Sequence, residues 1–79
     1  MFTKIWLHYF LMRISQKFPD FFDELLDSLE ITQKQKLIMK YRYKNKLKFK
    51  QIGDMEGVFL CQRQVEYLHQ EVVDKIKNI

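Results

Sequence analysis

Two stretches decide how this chain folds: Leu47-Lys48-Phe49-Lys50-Gln51-Ile52-Gly53 and, after a short break, Cys61-Gln62-Arg63-Gln64-Val65-Glu66-Tyr67-Leu68-His69. In the first, Leu47, Phe49, Ile52 and Met55 form one apolar side, which predicts a short helix from Leu47 to about Met55. Gly57 breaks it. In the second, Val65, Leu68, Val72 and Ile76 stand three, four and four residues apart, the spacing of one buried stripe on a helix from about Gln62 to the terminal residues. The local reading is a short helix, a turn and a longer helix.

Upstream, Thr32 followed by Gln35 has the form of a capping box, and it predicts a helix through about Lys44 that buries Leu37, Ile38, Tyr41 and Tyr43. Asn45 is the residue expected to take the left-handed conformation that a sharp helix end requires. Before that, Pro19 disfavours helical geometry at Phe18, and Asp20 is expected to cap a helix with Phe22, Leu25, Leu26 and Leu29 on one stripe. From Phe2 to Phe18, Ile5, Trp6, Tyr9, Phe10, Met12 and Ile14 recur near helical spacing, with Thr3 as the expected N-cap. Trp6, Phe10, Phe18, Phe21 and Phe22 read mainly as core, though so many rings in a short segment leave some for a partner.

The expectation is therefore an all-α fold, a compact bundle of about five helices in one domain over residues 1–79. Residues 1–30 form an N-terminal helical pair and 31–79 the remainder. A chain of 79 residues has room for one modest core. Its 47% hydrophobic content excludes a disordered tail, and two Gly with one Pro argue against a meander of tight β-turns.

The net charge of +4 is unevenly distributed. Lys4, Arg13 and Lys17 are outnumbered by Asp20, Asp23, Glu24, Asp27 and Glu30 in the first part. Lys34, Lys36, Lys40, Arg42, Lys44, Lys46, Lys48 and Lys50 then follow with no acidic residue among them. Such a run suits an anionic partner, or else a solvated face. The lone Cys61 cannot form an intramolecular disulfide, so the cytoplasm is the expected compartment. Lys4, His8 and Arg13 interrupt the apolar N-terminal stretch, which is also too short to span a bilayer.

The segment from Leu29 to Ile76 resembles region 4 of the sigma-70 family and the related small phage-encoded transcription activators. The likeness rests on the helix Lys36-Leu37-Ile38-Met39-Lys40-Tyr41-Arg42-Tyr43 and on the two stretches quoted first, with Gly53 where two helices would cross. Departures are visible. Lys46 stands where the family has Gly, and Lys48 and Cys61 where it has Ser or Thr caps, the latter costing ~1 kcal/mol. The turn from Gly57 to Cys61 is longer than usual and holds Phe59 and Leu60.

The resemblance implies a C-terminal helix-turn-helix in a DNA-binding transcriptional regulator of phage or mobile-element type. Its recognition helix, about 61–73, would lie in the major groove. Gln62, Arg63, Glu66, Tyr67 and Gln70 would face base edges, Arg and Gln being able to contact guanine and adenine in bidentate fashion. Lys44, Lys46, Lys48 and Lys50 would meet phosphates. A second reading is a drifted helix-turn-helix that binds RNA polymerase, a sigma factor or another regulator, with Trp6, Phe10, Phe21, Phe59 and Leu60 as contact residues. A homodimer is compatible with either. No catalytic constellation, cofactor motif or metal-ligand spacing is found in the sequence, so neither an enzyme nor a metal site is expected, and His8, His69 and Cys61 are too scattered to suggest one.

Overall fold

The computed structural model describes residues 2–78, with side chains from Trp6 onward. Five helices follow in order: α1 (Phe2–Lys17), α2 (Pro19–Ser28), α3 (Gln33–Tyr43), α4 (Phe49–Gly53) and α5 (Gln62–Lys77). Among the described residues there is no strand, and no helix is long and apolar enough to cross a membrane. The side chains of Thr3 and Ile5 lie outside the described residues.

Helix α2 begins two residues earlier than the sequence suggested. Phe18, not Asp20, is the N-cap of α2, and Pro19 opens the helix. Proline suits that position because its fixed φ is helical and the missing N–H would have had no partner there. Asp20 stands in the first turn, where its charge favours the helix dipole.

Helix α3 starts on the capping box read from the sequence. The Gln35 backbone N–H donates to Thr32 Oγ1 at 3.1 Å, and the Thr32 N–H donates to Gln35 Oε1 at 3.0 Å. Its end differs: Lys46, not Asn45, takes the left-handed conformation, with φ 58°. The Leu47 N–H then donates back to Tyr41 O at 3.1 Å, closing a Schellman-type turn. Lys48 then takes an extended conformation, φ −79° and ψ 156°, as the N-cap, so α4 runs only from Phe49 to Gly53 rather than from Leu47 to Met55. The carbonyls left over at the end of α3 are met from α1. Ser15 Oγ lies 3.1 Å from Tyr43 O, and Gln16 Nε2 donates to Tyr43 O at 2.8 Å.

Two buried clusters result. The first gathers Leu7, Leu11 and Ile14 of α1, Phe22 and Leu26 of α2, Met39 and Tyr43 of α3, and Val72 and Val73 of α5. The second gathers Ile38, Ile52, Val58 and Val65, with Leu37, Phe49, Leu60 and Leu68 packed around it. Helices α3 and α5 contribute to both. Of the aromatic row read as core, only Phe22 is buried; Trp6, Phe10, Phe18 and Phe21 are exposed. The expected stripe on α5 is buried at Val65 and Val72 and half-buried at Leu68 and Ile76.

Candidate nucleic-acid interface

The contact between α4 and α5 depends on Gly53. A Cβ at this position would stand 2.3 Å from the carbonyl oxygen of Leu60 and 3.6 Å from Val65 Cγ2. The Leu60 N–H in turn donates to Gly53 O at 3.0 Å. Only glycine lets the connecting segment lie this close to the end of α4. Gly57 turns the chain with φ 86°, and Val58 enters the second core. Phe59 follows with φ 47° and is 72% exposed. A bulky residue at positive φ is an outlier, and such backbone strain costs ~1–3 kcal/mol. Leu60 packs back toward the core.

This arrangement sets the rotation of α5. With Val65 and Val72 buried, Arg63 and Tyr67 stand on the opposite face and are exposed, as are Gln62 and Glu66. Cys61 is the N-cap but offers no side-chain hydrogen bond, so the first N–H groups of α5 gain no capping partner from it. Gln70 is half-buried and its amide donates to Asp74 at 2.9 Å, which draws it away from an external partner.

The lysines separate into free and committed groups. Lys44 Nζ is 2.7 Å from Asp23 Oδ1 and 6.0 Å from the centroid of the Phe22 ring, so its charge is already engaged by α2. Lys36 pairs with Asp27 at 3.1 Å. Lys46, Lys48 and Lys50 are exposed. Lys48 is the N-cap of α4 and, having no acceptor, performs half of a capping exchange: its N–H donates to Gln51 Oε1 at 2.9 Å.

A cleft of about 340 Å³ lies beside this surface, where α1, α3 and α5 meet. No local pattern points to it, because its members come from distant segments. Arg42 Nη1 donates to Leu47 O at 3.0 Å, and its guanidinium lies 4.4 Å from the Phe49 ring centroid. Tyr43 Oη and His69 Nε2 are 2.8 Å apart. Burial pushes the Tyr43 hydroxyl up to about 12, against a smaller lowering by Arg42, so it keeps its proton at neutral pH. Burial, and secondarily Arg42, lowers the pKa of His8. The cleft thus sets the Tyr43–His69 contact beside the Arg42 guanidinium where α3 meets α5. Among the described residues, no three His, Cys, Asp or Glu side chains are grouped to hold a metal ion.

Trp6, Phe10 and Phe21, read as partner contacts, are all exposed, and they lie on the α1–α2 side rather than with Phe59. The inward Val58 escaped sequence reading: in the run Val58-Phe59-Leu60, no periodicity says which residue turns in. Compared with protein families, curated proteins and solved structures, the chain matches none.

Proposed function

We propose that the chain is a DNA-binding transcriptional regulator in which α4, the turn and α5 act as a helix-turn-helix of the sigma region 4 kind. The observation that carries the reading is the junction at Gly53. It supports an α5 whose first two turns offer Gln62, Arg63 and Tyr67 outward while Val65 faces the core. Lys46, Lys48 and Lys50 supply exposed positive charge in the α3–α4 turn and on α4. The left-handed backbone at Lys46 falls where the resemblance expects Gly, which adds support. Phage or mobile-element origin, and action together with RNA polymerase, follow from the resemblance alone.

The test is duplex binding across a salt series. Arg63→Ala is expected to lose ~1–3 kcal/mol on the preferred site and relax preference at one or two base pairs, with an unchanged melting temperature. No measurable duplex binding by the parent protein at low salt refutes the proposal.

One observation favours the second reading, a module that binds polymerase or another regulator: the turn holds the apolar Phe59 outward on strained backbone. Phe59→Ala is the matched variant. Under the interaction reading it abolishes capture of the protein partner and Arg63→Ala does not; under the DNA reading Arg63→Ala has the larger effect.

A further inference from the structure

We propose that the exposed stripe Trp6, Phe10, Arg13 and Lys17 on α1 is a self-association face, on which a second copy of this chain docks with its own α1 antiparallel. These residues stand four, three and four apart, the spacing of a coiled-coil seam. The stripe lies beside the face carrying Leu7, Leu11 and Ile14, which is already committed to the core. Trp6 and Phe10 stack with ring centroids 5.3 Å apart, and Trp6 is 63% exposed. With Phe21, Leu25 and Ile76 beside it, the pair forms part of a contiguous apolar patch, the kind of surface that marks an interaction site.

The second copy is identified by the chemistry along the stripe. Its first half is aromatic and its second half cationic. Arg13 and Lys17 are exposed, and the ion pairs among the described residues, Lys36–Asp27 and Lys44–Asp23, do not use them. Reversing one copy against another sets Trp6 opposite Lys17 of the second copy and Phe10 opposite Arg13 of the second copy. Both are cation–π pairs, and the two-fold relation forms each twice. A parallel pairing would instead set cation against cation.

Helix α2 extends the complementarity. Phe21, half exposed, joins Trp6, Phe10, Leu25 and Ile76 around an apolar hollow of about 410 Å³. On the far side of Phe21 stand the exposed Asp20 and Glu24, within the same helix and opposite in sign to the basic half of α1. A helix of 16 residues is ~24 Å long, so one helix pair with this flank gives an interface at the small end of specific ones. The dimer is therefore reversible and concentration-dependent. None of the four stripe residues is assigned to DNA, so the inference stands apart from the regulator reading; a dimer would supply that reading with its second recognition helix.

Sedimentation of the full chain from about 1 µM to about 1 mM tests the proposal, with emission of Trp6 followed in parallel, this being the only tryptophan. The mass is expected to rise toward twice the monomer while the emission shifts to the blue over the same range. Trp6→Ala and Arg13→Glu, read by sedimentation, are each expected to raise the dissociation constant at least ~10-fold with unaltered thermal melts. Tyr67→Ala, at a residue 67% exposed on α5 and away from α1, is expected to leave it unchanged. A monomeric mass throughout overturns the proposal. So does a Tyr67→Ala loss equal to that of Trp6→Ala with Arg13→Glu neutral, which is undirected aromatic sticking. A blue shift produced only by anionic phosphatidylglycerol vesicles overturns it too, and reassigns the stripe to a lipid surface.

Discussion

The first core cluster is made of large side chains brought in by long helices, whereas the second is made of smaller aliphatic ones held in place by unusual backbone. Around α1 and α2, Phe22, Tyr43, Met39 and three leucines fill the space. Around α4, the fully buried residues are Ile38, Ile52, Val58 and Val65, and the three positive φ angles of the described chain, at Lys46, Gly57 and Phe59, all lie in the segments flanking that helix. One half is fixed by what it buries and the other by how its chain turns. The two should therefore respond to different kinds of substitution, and the candidate recognition surface belongs to the half fixed by turns.

The largest expected effect is in the first half. Phe22 is fully buried, packs its ring 6.1 Å from that of Tyr43 and lies near the Lys44 ammonium. Phe22→Ala is expected to cost ~3–5 kcal/mol in chemical denaturation, a large share of the stability of a domain this size. A loss below ~1 kcal/mol would break the comparison, since the first half would then not depend on its large side chains.

Next comes Gly53→Ala. It adds one methyl group, but that group meets a backbone carbonyl at 2.3 Å, and a backbone can yield only by displacing the turn. The expected cost is ~1–3 kcal/mol as overpacking, and with it a changed setting of α5. Duplex affinity should then fall more than the lost stability explains. A variant that melts and binds like the parent would show the close approach to be dispensable.

The smallest effect has the opposite sign. Lys46→Gly removes a side chain from a left-handed position and is expected to stabilise the fold by ~1 kcal/mol, read as a higher melting temperature. Because it also deletes an exposed cation, duplex affinity should decrease slightly as stability rises. A stability gain without any loss of affinity would remove Lys46 from the proposed phosphate contacts.

How much of this was legible in the sequence follows the same division. Features set by neighbouring residues were readable: the Thr32–Gln35 capping box, the α5 periodicity and the need for Gly at position 53. The left-handed residue was misread by one, because Asn45 has the better intrinsic preference and the hydrogen bond from Leu47 to Tyr41 places the demand on Lys46. The exposed rings of α1 and α2 were not separable from core rings, since an aromatic residue reads alike whether its partner is its own chain or another. The pairing of Lys44 with Asp23 was also invisible, because twenty-one positions separate the two and only the packing of α2 on the end of α3 joins them. Fold class depends on short-range pattern, whereas the assignment of each cation depends on tertiary neighbours.

The carbonyls of Tyr43 and Lys44 receive hydrogen bonds from Gln16, with the Ser15 hydroxyl beside Tyr43 O, so the last turn of α3 is completed by a helix that precedes it by more than two dozen residues. This makes the segment from residue 31 onward a poor candidate for transplantation. Grafted into another protein or expressed alone, it would exchange those hydrogen bonds for water at the point where the chain turns toward α4, and would uncover Met39, Tyr43 and Val72. Any recombination event that shuffled this segment as a cassette would have to bring α1 along or reinvent its two polar side chains. The unit of inheritance here is thus larger than the unit proposed to meet DNA.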